Sequence, residues 1–109
     1  MIIDAHLHFA RHEYMTCAAR EAGHENTAEH LAQVFAEQGI AAAVAMGGDE
    51  GATGVKAPRL YYCAAVRGER LNEDLRAELE RAEKSLAQPD CVGLKLYPGY
   101  DRRYPADRD

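Results

Sequence analysis

Four short apolar runs constrain the fold of this chain more than any other feature. They span residues 2–8, 40–46, 60–66 and 91–97. Runs of this length, bounded by Gly, Pro or charged turns, predict buried strands. Residues 40–46 are contestable, because alanine favours helix. Their confinement between Gly39 and Gly47-Gly48 leaves too little room for a typical helix and decides for a strand. Two helices are predicted between the runs. The first covers residues 27–38, with Asn26 or Thr27 as its cap, Gly39 as its stop and an apolar stripe of Leu31, Val34 and Phe35. The second runs from a cap at Asn72 to about residue 87. Leu75, Leu79, Ala82 and Leu86 form its buried stripe, Arg76/Glu80 and Glu80/Lys84 pair on its wet side, and Pro89-Asp90 ends it. A long polar stretch, residues 9–26, carries Arg11, His12, Glu13, Arg20, Glu21, His24 and Glu25, and its Met15–Ala22 part reads as a short helix. Residues 47–59, with Gly47, Gly48, Gly51, Gly54 and Pro58, read as a connector and match no phosphate-binding fingerprint. Strands separated by helices predict parallel pairing in the order 1-2-3-4, with both helices on one outer face.

Parallel α/β sheets collect chemistry at the C-terminal ends of their strands. Those ends here carry His6 and His8, Gly47-Gly48, Arg67 and the stretch 95–100. Alternation along the first strand puts Asp4, His6 and His8 on one face and Ile3, Ala5 and Leu7 on the other. The apolar face suits helix packing. The polar face brings two imidazoles to the strand end, where they can clamp one divalent metal. With five His in 109 residues, His-x-His arises by chance in roughly one such chain in four, so position rather than pattern carries this reading.

Lys95 lies within an otherwise apolar strand, on the face of Gly93 and Tyr97. A lysine there needs a partner or a chemical change. Three readings stand: a cation that binds substrate, a carboxylated bridge between two metals, or an ion pair with Asp4. Arg67 suits a substrate carboxylate, or is simply solvated. Tyr97, Tyr100 and Tyr104 crowd the last loop, lining a pocket or packing against a neighbour. His12 and His24 read by default as surface residues.

The chain has 109 residues, which fits one small domain over residues 1–109. Its 47 % apolar content argues against disorder, and its net charge of −5 offers no basic stripe for nucleic acid. No apolar run approaches a membrane span, and the first residues lack the pattern of a signal peptide. Cys17, Cys63 and Cys91 form no CxxC and are odd in number, so free thiols in a reducing cytoplasm are expected.

The opening Ile3-Asp4-Ala5-His6-Leu7-His8-Phe9 resembles the metal motif of the amidohydrolase superfamily. The later segment, Val92-Gly93-Leu94-Lys95-Leu96-Tyr97-Pro98-Gly99-Tyr100, resembles a fourth-strand segment of its "amidohydrolase 2" group. The resemblance covers both ends of the chain. It implies an α/β fold, the N-terminal four-strand parallel portion of a (β/α)8 TIM barrel, truncated relative to the roughly 250 residues such a barrel needs. It implies a divalent metal, zinc before manganese, on His6 and His8, with Lys95 as the catalytic lysine that some subgroups carboxylate. Arg67 and Tyr97 would then bind a small-molecule substrate. The family's further ligands, histidines on the fifth and sixth strands and an aspartate on the eighth, lie beyond the four strands here. The implied activity is hydrolysis of an amide, ester or lactone. Non-oxidative decarboxylation is the alternative within the family, and a small non-catalytic metal-binding or interaction module is the alternative outside it. Two open sheet edges would require self-association or the remainder of the barrel.

Overall fold

The computed structural model describes residues 1–10, 12–47 and 59–101. Its elements in chain order are β1 (Ile2–Leu7), α1 (Glu13–Glu21), α2 (Ala28–Gln38), β2 (Ile40–Met46), β3 (Leu60–Ala65), α3 (Gly68–Glu73), α4 (Leu75–Leu86), β4 (Cys91–Lys95) and α5 (Pro98–Asp101). The four strands form one sheet in the order β1-β2-β3-β4, and every pairing is parallel. The chain is therefore α/β with an all-parallel sheet, as the alternation predicts. Arg11, most of the Gly-rich connector (residues 48–58) and Tyr104 lie outside the described residues.

Local sequence explains the helix that was read most accurately. Thr27 caps α2 by accepting the His30 N–H at 3.1 Å, and Gly39 ends the helix with φ +66°, a left-handed conformation that glycine adopts without steric cost. Phe35 is buried and Leu31 and Val34 half-buried, so the predicted stripe faces inward. Phe9, just past β1, is buried against Leu7, Ala28 and Leu31. Leu7 and Phe9 thus meet α2, while His6 and His8 beside them stay exposed.

The second predicted helix is two helices. Leu71, Asn72 and Glu73 belong to α3, and Asp74, not Asn72, caps α4 by accepting the Ala77 N–H at 3.0 Å. Of the predicted stripe, Ala82 is buried and the three leucines are not. Leu75, Leu79 and Leu86 are 48 %, 50 % and 46 % exposed, whereas Glu78 and Ala82 are buried. The Glu78 carboxylate accepts the Arg67 N–H at 3.1 Å and pairs with Arg81 at 2.8 Å through Nε and Nη2. Arg81 also donates to the Ala65 carbonyl at the end of β3. Polar groups, not leucines, seat α4 on the sheet at this point. The wet-side pair Arg76–Glu80 forms at 2.9 Å.

The sheet core is built from small residues and one tyrosine. Ala45, Tyr62 and Ala64 form a buried cluster with Leu60 and Cys91 against it. On β4, Val92 and Leu94, followed by Leu96, remain largely exposed. β1 carries a register shift: Asp4 is level with Ala43, but Leu7 is level with Ala45. That extra residue is a bulge, and it takes the His6 N–H out of the ladder. Asp4 Oδ1 accepts this N–H at 3.0 Å, so the displaced donor is not left unpaired. Among the described residues, no helix is long and apolar enough to cross a membrane.

Candidate functional site

The described polar groups at the C-terminal end of the sheet fall into two sets. The first is at the β1 edge. His6 and His8 are exposed, their Nε2 atoms lie 3.2 Å apart, and their ring centroids are separated by 5.0 Å at a tilt of 59°. Two imidazoles bound to one tetrahedral zinc at about 2.0–2.1 Å have nitrogens about 3.3–3.4 Å apart. The observed spacing matches that edge, so the pair fits two corners of a metal site. Among the described residues, no group of three or more His, Cys, Asp or Glu converges to complete one.

The second set lies beyond β3 and β4. Arg67, Tyr97, Tyr100, Gly47, Ala65 and Glu69 line a cleft of about 340 Å³. Tyr97 and Tyr100 meet edge to face with centroids 6.2 Å apart. Gly47 has φ +75°, and a Cβ built there would stand 3.2 Å from the Tyr97 hydroxyl, so close approach and backbone conformation both call for glycine.

Lys95 is half-buried, level with Ala65, and its Nζ sits 4.9 Å from the Tyr97 ring centroid. This cation–π contact partners a lysine that the strand pattern left unexplained. The alternative ion pair with Asp4 does not form. β1 and β4 are the two edges of the sheet with β2 and β3 between them, and Asp4 is occupied by the His6 N–H. Cys63 shares the Lys95 face. Burial pushes its thiol upward and Cys91 adds to this, while Lys95 opposes it. All three cysteines are free.

The structure thus brings His6 to His8, and Arg67 to Tyr97 with Lys95 beside the latter. Among the described residues, the cleft at Arg67 and Tyr97 is lined by neither His6 nor His8. His8 lines a different space of about 360 Å³, between β1 and the helices α1 and α2. Leu7, Phe9, Met15, Leu31 and Val34 make most of its wall apolar, and His24 and His30 front it as well. His30 escaped the sequence reading, because its i, i+6 spacing from His24 belongs to no regular element. His12 turns out to be structural: its Nδ1 accepts the Met15 N–H at 3.3 Å and caps α1.

Comparison of the chain with protein-family models, with curated proteins and with solved structures gives no match.

Proposed function

We propose that this chain is the N-terminal part of a metal-dependent, amidohydrolase-like (β/α)8 barrel enzyme of the cytoplasm, acting on an amide, ester or lactone bond of a small molecule. One observation carries the reading. Two imidazole nitrogens stand 3.2 Å apart at the C-terminal end of a strand in an all-parallel sheet. That is where this architecture gathers its chemistry. His6 and His8 would hold a divalent ion, zinc in preference to manganese. The ion would supply Lewis acidity to the scissile carbonyl and to the attacking water. Asp4 fixes the backbone that aims His6. Lys95 offers a substrate anion an ammonium already positioned by Tyr97. Arg67 and Tyr97 frame a cleft wide enough for a small organic group. The remaining ligands and walls would come from strands that complete the barrel.

The test begins with metal. The chain is equilibrated with zinc and its bound metal measured. His6→Ala and His8→Ala are each expected to weaken binding at the strand end by more than about tenfold, since either leaves a single imidazole. In the complete barrel, amide, ester or lactone cleavage should require added metal and fall at least about tenfold in Lys95→Ala, with an unchanged unfolding midpoint. Zinc binding that is indifferent to both histidines overturns the reading.

A further inference from the structure

We infer that His24 and His30 form a second metal site, a two-imidazole clip for a late first-row divalent ion such as Zn2+, Ni2+ or Cu2+. His24 Nδ1 and His30 Nε2 lie 3.3 Å apart with ring centroids separated by 5.5 Å. This is again the edge of a tetrahedral coordination sphere, about 3.3–3.4 Å. Imidazole is the ligand type these ions favour, with Cu2+ bound most tightly. In the metal-free chain one ring nitrogen donates to the other. Binding needs both lone pairs, so the shared proton moves to the far nitrogen of its own ring, and no proton is lost from the neutral pair.

The clip is built before any metal arrives. The His24 N–H donates to the Ala19 carbonyl at 2.8 Å, which anchors the residue to the end of α1. The His30 N–H donates to Thr27 Oγ1 at 3.1 Å, which anchors it in the first turn of α2. Between them, Asn26 Nδ2 donates to the Ala10 carbonyl at 2.9 Å and to Thr16 Oγ1 at 3.2 Å. Little ordering remains to oppose binding. The C-terminal end of α1 favours a cation near His24, whereas the N-terminus of α2 disfavours one near His30. Glu25, which lines the same cavity, supplies a compensating negative charge. The cavity is also fronted by His8, so an ion on the clip would sit in a space that His8 borders.

The experiment uses the full chain, zinc ions as the probe, and ring nitrogen chemical shifts as the readout. In the unmodified protein the ring signals of His24 and His30 should shift together as zinc is added. In the double variant His6→Ala/His8→Ala that response should persist with unchanged midpoint. Adding His24→Gln to it should weaken the remaining binding by more than about tenfold, because one imidazole of two is gone. Circular dichroism checks that the variants keep their helices. Rings of His24 and His30 that stay unmoved at millimolar zinc would overturn the clip, whatever His6 and His8 do. A response confined to His24 and His30 would support the clip and count against the strand-end site.

Discussion

At the β1 edge, helix α2 is held to the sheet by apolar contact, with Phe9 buried against Leu7, Ala28 and Leu31. The imidazoles beside it stay exposed, and ring meets ring. At the β3 end, α4 is held by charge: Glu78 is 3 % exposed and joins Arg81, the Arg67 backbone and, through Arg81, the Ala65 carbonyl. The difference separates two uses of polar side chains. A group fully engaged by fixed partners is committed to the fold. A pair of rings in contact only with each other keeps ring nitrogens that a ligand can take.

Truncating the apolar anchor should have the largest effect. Phe9→Ala is expected to cost about 3–4 kcal/mol in urea unfolding, from lost burial plus the cavity left behind. A loss below about 1 kcal/mol would mean that the β1 end is not held by this contact. The charged anchor comes next, and acid should reveal it. Arg81, through its hydrogen bonds, chiefly holds the Glu78 carboxyl down to about 2 from an ordinary value of 4.5, with help from the Arg67 N–H against the opposing effect of burial. The unfolded chain therefore takes up this proton first. Stability from the carboxylate is complete above about pH 5 and falls as pH drops toward 2. The shift corresponds to about 3 kcal/mol. Glu78→Gln should remove most of that pH dependence in unfolding measured between pH 7 and 3. A variant as acid-sensitive as the parent would break the contrast between the two ends. The smallest effect is expected at the exposed imidazoles. Without metal, His6→Ala and His8→Ala should each change unfolding free energy by less than about 0.5 kcal/mol. A larger cost would assign the pair to the fold rather than to a ligand.

The parallel sheet was legible because its signals are local. Short apolar runs sit between turn residues, and helices in the intervals allow few topologies. Thr27 and Gly39 bracket α2 because capping chemistry is written in single residues. The α4 face was not legible, because a hydrophobic stripe is sought among leucines. Ala82 was expected inward, but the group beside it is Glu78, and the reason lies in Arg67 and Ala65, distant in sequence. The break at Asp74 was hidden because Asn72 is an equally competent cap. His6 and His8 were visible as a pair because they stand two residues apart at a strand end. His24 and His30 were not, because a turn between two helices brings them together. Lys95 was recognised as anomalous, but its neighbour Tyr97, two residues away on the same face, was a simpler partner than Asp4 at the far edge.

Gly47 sets a limit on how this protein can change. Its φ of +75° and the 3.2 Å approach of the Tyr97 hydroxyl strain any side chain placed there. The cleft beside it therefore gains new chemistry from the end of β2 only at the cost of backbone strain. Variation that retunes it must come from Arg67, Glu69 and Tyr100 along the other walls. In a library randomised over the whole lining, position 47 should return glycine while those three diverge. Adaptation of the cleft is thus channelled through the β3 and β4 side of the sheet.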